Sequence, residues 1–340
     1  METRKAQLTG GTTYTVSLPK PWASEHGIES GSLLYLYPNE DGSILIEPEA
    51  SSEGGAYTAT VDIQSYSEDE LIQAVYALYL YGSHSITLVD STGDVSDRKQ
   101  TVQSFLPHLI GFEIMESSNE KLILENLTNA ESISVRKSAL RLRLIVLSMQ
   151  KDALVAFVEN DHELAEQVID RDDEVDKLLA LVMRHFQRSL ESLDEITQLD
   201  ISRAELFEYY YTTRQLERVG DHAEKIAELV MSQSEPSPDE LCEKIHHLGE
   251  ESRKIIEESS NIILSDVTIS KSFDILQKRN DVVSEITQLD RELYDHESSK
   301  IAHQLGLILD SLRRSADYGA NIAEAAIQNA ARTGTLPDQR

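Results

Sequence analysis

Glu217, Asp221, Glu224 and Glu228 follow one another at intervals of four, three and four residues. On an α-helix that spacing sets them in one stripe. Leu216, Ala223, Ala227 and Val230 run alongside, so the stripe borders the apolar face and does not oppose it. Asp172 and Asp176, one turn apart, stand in the same relation to Val168, Val175 and Leu179. Two such stripes facing each other make an oxygen-rich groove. Oxygen ligands suit hard divalent ions, so the expected cofactor is a divalent metal drawn from Mg, Mn, Zn or Fe. His222 offers a nitrogen. The competing reading is a solvated acidic face, because like charges at these spacings cost only about a few tenths of a kcal/mol.

These stripes need helices to hold them. From about residue 131 onward strand patterning vanishes and helical periodicity takes over. The pattern predicts a helix from Ser134 to Asn160 with apolar positions Leu140, Leu144, Leu147 and Leu154. After a break at Asn160-Asp161 it predicts one long helix to about Ile196, with Leu164, Val168, Val175, Leu178, Val182, Phe186 and Leu190 inward. A third helix opens on a capping box, Ser202 with Glu205, and ends before Ser-Glu-Pro-Ser-Pro at 234–238. The pattern then recurs: Pro238 to about Leu264, Ser270 to about His296, and Ser299 to about Ala330. Laying 214–229 on 310–325 matches Arg218, Asp221, Ile226, Ala227 and Glu228 with Arg314, Asp317, Ile322, Ala323 and Glu324. That register indicates an internal duplication of three-helix bundles at 131–233 and 237–330. The second copy has a thinner carboxylate set, Asp281, Glu285, Asp317 and Glu324, with Arg313 in place of Glu217 and Ala320 in place of Glu224.

The first 50 residues read as strands and turns. Tyr14–Leu18 and Ser32–Tyr37 alternate as short strands, Trp22–His26 makes one helical turn stopped by Gly27, and Asp41-Gly42 is a hairpin signal leading into Ser43–Ile46. So small a piece buries little alone, which predicts an obligate dimer. Residues 50–55, ASSEGG, read as a linker. Between 56 and 128 the order is βαβαββ: Thr58–Ile63, a helix over Ser67–Tyr81 capped by Ser67 with Glu70, Ser85–Val89, a helix over Ser96–Leu109, and a final strand pair, Glu113–Met115 and Lys121–Leu124. The fold class is therefore multidomain: a small β domain, a small α/β domain, and tandem all-α three-helix bundles.

The chain of 340 residues carries a formal charge of -29, which disfavours non-specific attraction to nucleic acid and fits either plain solubility or life in high internal salt. Cys242 is its only cysteine, so intramolecular disulfides and multi-cysteine zinc sites are excluded. No apolar run is long enough to span a membrane and the N-terminus has no secretory pattern, so no membrane insertion and a cytoplasmic location are expected. No glycine-rich phosphate loop or acyl-transfer motif occurs, the helical part offers no evident nucleophile, and no enzyme activity is expected.

The N-terminal run RKAQLTGGTTYTVSLPKPWASEHGIESGSLLYLYPNEDGSILIEP resembles the swapped-hairpin domains of the AbrB/SpoVT/MazE type. The resemblance implies two interleaved chains that bind promoter DNA or, in some members, only a partner protein. It assigns DNA contacts to Arg4, Lys5 and Lys20. The helical part resembles PhoU, the phosphate-uptake regulator, through DDEVD at 172–176, ERVGDHAEKIAE at 217–228 and RRSADYGANIAEAA at 313–326. That resemblance implies divalent metal or iron at these carboxylates and restraint of phosphate uptake through other proteins. Together the domains look like archaeal PhoU-type regulators, and the acidity suggests a haloarchaeal source. The expectation is a homodimeric transcriptional regulator of phosphate homeostasis acting on promoters of phosphate-regulated genes. The alternative is an adaptor that touches a phosphate transporter ATPase or a signalling protein without DNA.

Overall fold

The computed structural model describes residues 3–38, 42–47, 57–91, 95–128, 134–191, 193–233, 236–265 and 268–336. The expected turn at Asn39–Asp41, the 50–55 linker and Ser234-Glu235 lie outside the described residues. The chain divides into two compact units, Met1–Ala56 and Tyr57–Arg340.

In the first unit β1 (Gln7–Thr9) pairs antiparallel with β2 (Thr13–Thr15), and β3 (Tyr35–Pro38) with β4 (Ile44–Glu47). The turn between β1 and β2 uses Gly10 and Gly11 at φ 64° and 82°, a region only glycine enters freely. The strands are shorter than the alternation predicts. The register ends at Gln7 opposite Thr15, so Val16–Leu18 has no partner within its hairpin. Strand β1 lies within the region read as strands and turns, but its three residues are too few to be singled out by alternation. Helix α1 (Lys20–Glu25) lies between the hairpins, with Pro21 in its first turn. No described residue of this unit is buried, and Tyr14, Leu33 and Leu36 are 73%, 77% and 60% exposed.

The second unit opens with β5 (Thr58–Asp62), α2 (Glu68–Tyr81), β6 (Ser85–Val89), α3 (Ser96–Phe105), β7 (Phe112–Ser117) and β8 (Lys121–Asn126), the βαβαββ order expected. The sheet runs β5-β6-β8-β7, with β5 and β6 parallel and the other pairs antiparallel. Ser67 and Glu70 exchange both bonds of the capping box. The helix expected to reach Leu109 stops at Phe105, because Pro107 cannot continue the ladder; Leu106–His108 form a 3-10 turn instead. Ile63, Leu71, Val75, Ile86, Leu88, Leu122 and Leu124 fill the core beneath.

Helix α4 (Val135–Glu159) is capped by Ser134 and closes on Asn160 at φ 52°. Of its expected apolar positions Leu147 and Leu154 are buried and Leu140 is half-buried, whereas Leu144 is 61% exposed; Ala139, Leu142, Val146, Met149 and Ala153 complete the buried face. Helix α4 packs on both α8 and α9, which widens its buried face. The expected single second helix is broken into α5 (His162–Asp170), α6 (Asp172–Glu191) and α7 (Leu193–Leu199). At the first break the Arg171 guanidinium bonds back to the Gln167 carbonyl and across to Ser148 and Asp152 of α4, while its backbone N–H bonds only three residues back. Leu190, expected inward, is 53% exposed near the end of α6.

Helix α8 (Arg203–Met231) opens on Ser202, which accepts from the Glu205 N–H; the Glu205 carboxylate accepts from the Tyr209 hydroxyl. Helices α9 (Asp239–Leu264), α10 (Lys271–Glu292) and α11 (Ser299–Thr333) form the second repeat. Helix α8 packs on α11 and α4 on α9, so the two repeats share one continuous core.

Candidate functional site

Helices α6 and α8 pack side by side, and the two carboxylate stripes line their shared edge. Leu216, Ala223, Ala227 and Val230 of α8 and Val175 and Leu179 of α6 are buried beneath them. Asp172 leans over Gly220 of α8, its Oδ1 3.5 Å from where a Cβ would stand. Glu217 is 9% exposed and accepts from Arg214 Nη1 at 3.1 Å through Oε1. Its Oε2 is buried without a hydrogen-bond partner, and so is Asp172 Oδ1. Asp176, Asp221 and Glu228 are exposed and Glu224 is half-buried.

The electrostatics describe one coupled cluster. Burial first, then Glu224, Asp176, Asp221 and Glu217, push Asp172 up to about 7. Burial and Asp221 push Glu217 up to about 7 against the pull of Arg214. Asp221 is raised by loss of hydration and by Asp176, and Glu224 by loss of hydration and by Glu228. Asp176 is raised by loss of hydration and by Asp173, with His108 and Arg214 opposing.

A crowded set of hard oxygens, two of them buried and unpartnered, fits a divalent cation by donor chemistry. Among the described residues no group of three or more His, Cys, Asp or Glu side chains already stands in a ligating arrangement. His222 does not join this set. Its Nδ1 is buried and unpartnered, its ring lies 5.8 Å from that of Tyr318 on α11, and Lys225, Asp310 and Arg314 are its charged neighbours.

The second repeat is built differently. Asp317 Oδ1 accepts from Arg279 Nε at 2.8 Å and Nη2 at 2.5 Å. A guanidinium of α10 thus supplies the positive charge there. Asp281 is exposed and accepts from Gln277, while Glu285 and Glu324 are exposed, so the expected second set is not drawn together. Arg313, in the place of Glu217, pairs with Asp310.

A buried polar junction went unforeseen. Arg184 of α6 donates to the carbonyls of Tyr79, Gly82 and Ser83 at the C-terminal end of α2, and its guanidinium stacks on the Tyr79 and Phe112 rings. Beside it His185 and Arg188 both bond Glu195 of α7. Burial alone would raise Glu195, but His185 and Arg188 hold it below the usual carboxylate range. The only sequence signal was three basic residues, Arg184, His185 and Arg188, following the apolar run Leu178–Met183.

Arg4, Lys5 and Lys20, the residues matched to DNA contacts, are exposed on the first unit.

A model of the PhoU domain matches residues 139–230, which contain both carboxylate stripes of the first repeat. A model of the bacterial antitoxin MazE, described as antidote-toxin recognition, matches residues 7–54. The phosphate-specific transport system accessory protein PhoU homolog of Streptococcus pneumoniae is 28% identical over 229 residues, covering 63% of this chain and 99% of its own length. Its namesake from Pseudomonas aeruginosa is 27% identical over 214 residues, 58% of this chain and 83% of its own. The crystal structure of PhoU from Pseudomonas aeruginosa aligns with a TM-score of 0.50 at 24% identity, covering 61% of this chain and 99% of that one, and it supports the same helical fold. No helix among the described residues is long and apolar enough to cross a membrane. The chain therefore joins a PhoU domain to an N-terminal domain of the MazE/AbrB antitoxin type.

Proposed function

We propose that this protein is a cytoplasmic, homodimeric regulator of phosphate transport that binds promoters of phosphate-regulated genes and carries a divalent cation on its first helical repeat. The observation that carries this reading is the union of a PhoU domain with an antitoxin-type domain in one chain. The curated relatives are phosphate-transport accessory proteins, which supports the phosphate half. The first unit leaves Leu8, Tyr14, Val16, Leu33, Leu36 and Ile44 exposed, and a second copy would cover them. Arg4, Lys5 and Lys20 would then act in two copies on phosphates of the duplex.

Asp172, Asp176, Glu217, Asp221 and Glu224 would hold the cation. A bound cation would supply the positive charge that Arg214 and Arg218 provide in part. Asp281, Glu285, Asp317 and Glu324 are left out, since Arg279 already serves Asp317. The role is regulatory, with no catalytic step assigned. A second reading, an adaptor that contacts a transporter ATPase or signalling protein without DNA, is favoured by one fact: the chain is strongly acidic, with only three cations on the proposed DNA face.

Crosslinked DNA pull-down of the intact chain and of a chain lacking residues 1–50, in phosphate-rich and phosphate-starved cells, separates these readings. Peaks at phosphate-transport promoters that need those residues are expected. Absence of specific peaks in both conditions transfers the function to the adaptor.

A further inference from the structure

The sheet of the second unit has two edges, and they are finished differently. Strand β7 closes one edge; it breaks register between Ile114 and Glu116 and carries Glu113 and Glu116, the latter paired with Lys121 at 2.8 Å. A local bulge and charged side chains are how sheets stop a further strand from adding. Strand β5 closes the other edge with Thr58-Ala59-Thr60-Val61-Asp62 in unbroken register, and only its last residue is charged. Asp62 is held toward the neighbouring loops, where its Oδ1 accepts from the N–H groups of Gln64 at 3.1 Å and Ser91 at 3.5 Å. From Gly54 to Val61 the sequence has no charge, in a chain of which 27% is charged, and this uncharged run falls on the unguarded edge.

The backbone of β5 fixes where its outer groups point. The Tyr57 carbonyl accepts from the His84 N–H at 2.8 Å, and the Ile63 N–H donates to the Val89 carbonyl at 2.9 Å, so odd-numbered residues face β6. Alternation then turns the N–H and C=O of Thr60 away from β6. Among the described residues no strand pairs on that side. The side chains alternate as well: Ala59 is buried, while Thr58, Thr60 and Asp62 are exposed.

We infer that two copies of this chain pair antiparallel through β5, about a two-fold axis at Thr60, to make one sheet of eight strands. This rests on the homodimer proposed above and extends it to the second unit. The covalent connection favours a second copy as the occupant. Glu47 ends β4 and Tyr57 precedes β5, and the chain between them spans about 35 Å at most. A dimer held through the first unit keeps the two β5 strands within about twice that reach, at an effective concentration on the order of millimolar. The axis at Thr60 sets Thr60 against Thr60 and Thr58 against Asp62, so the two Asp62 carboxylates do not face each other. Each Thr60 N–H then donates to the Thr60 carbonyl of the other copy. Five residues make too short a ladder to hold alone, so the pairing depends on the first unit. Each sheet has one unguarded edge, so the assembly closes at two copies.

The test uses the full chain. Facing residues in such a ladder have Cα atoms about 5.5 Å apart, within disulfide reach, whereas the two copies of Thr58 would stand about 14 Å apart. Cys242 is buried, so the wild type serves as the blank. Under mild oxidation with diamide, Thr60→Cys should run mostly as a covalent dimer on a non-reducing gel. Thr58→Cys and Asp62→Cys should each stay at the wild-type level, and the double variant carrying both should crosslink. In the wild type the Thr60 amide should exchange hydrogen about a hundredfold more slowly than an unpaired edge amide. Light scattering reads the oligomeric state of the same samples. A dimer in which Thr60→Cys crosslinks no more than wild type, or in which all three single variants crosslink equally, overturns the β5 pairing and leaves the homodimer standing. A monomer overturns both. Unprotected exchange at Thr60 in a wild-type dimer also overturns the pairing, with no variant needed, and leaves the edge to a strand of another protein.

Discussion

Asp172 and Glu217 are pushed up to about 7 by burial and then by neighbouring carboxylates, Glu224 first for Asp172 and Asp221 first for Glu217. A carboxyl whose folded-state pKa is raised contributes stability below its unfolded pKa, near 4, and loses it as pH rises through about 7. The metal-free protein should therefore lose about 1–2 kcal/mol between pH 5 and pH 8, a figure discounted for the water that reaches this groove. Thermal unfolding across that range measures it. A cation reverses the trend, because it binds the ionised carboxylates and expels their protons; Mn2+ affinity should climb with pH to about 7 and then level off. Calorimetry in buffers of different ionisation enthalpy counts the released protons. Asp172→Asn should raise the melting temperature of the metal-free protein at pH 8 and weaken Mn2+ binding at least tenfold. A fall in melting temperature with unchanged Mn2+ binding would refute the role given to Asp172.

The element scale is governed by the capture of one helix end by another helix. Arg184 of α6 donates to the Tyr79 carbonyl, which also accepts from the Gly82 N–H at 3.0 Å, and to the carbonyls of Gly82 and Ser83 just beyond the end of α2. Removing the guanidinium takes buried charge-assisted donors away from these carbonyls, so Arg184→Met should destabilise by about 2–3 kcal/mol. Denaturant unfolding measures the loss, and hydrogen exchange should localise it to α2 and its junction with α6. Gly82, at φ 104°, closes α2 in the left-handed region. A methyl there would also collide with the Arg188 side chain, so Gly82→Ala should destabilise by about 1–3 kcal/mol. If Gly82→Ala proves neutral in chemical denaturation, the junction is looser than described.

At the scale of the whole molecule two quantities dominate, an apolar first unit without a core and a charge of -29. The exposed Tyr14, Leu33 and Leu36 predict that the intact chain elutes as a dimer and that deletion of 1–50 yields a monomer in light scattering. A dimer that survives the deletion would move the interface to the second unit. Self-repulsion among the acids predicts a melting temperature that rises as KCl is taken from about 0.1 to about 2 M, where the screening length shrinks to a few ångströms. A flat profile would mean that the acidic surface is already solvated without cost.

Much of this was legible in the order of residues. Helical periodicity and the cap residues Ser67 and Ser202 are local signals that depend on neighbours within a turn or two, and the repeat of α8 in α11 rests on the same periodicity. The first-repeat stripe was legible for the same reason: four carboxylates on one helix edge need only helix geometry to align. What packs against that edge is not local. His108 lies 65 residues before Asp173 in sequence, and only the docking of the α/β domain on α6 brings them to 3.5 Å. The fate of Asp317 was settled the same way, by Arg279 arriving from α10. His222 shares a helix with the stripe yet faces Tyr318, because the contact between α8 and α11 claims that side. The sequence by itself determined the elements and the chemistry that each carries, since propensity, capping and periodicity act over a few residues. Only the tertiary structure decided which charges meet, since that depends on contacts between distant segments which no short-range pattern encodes.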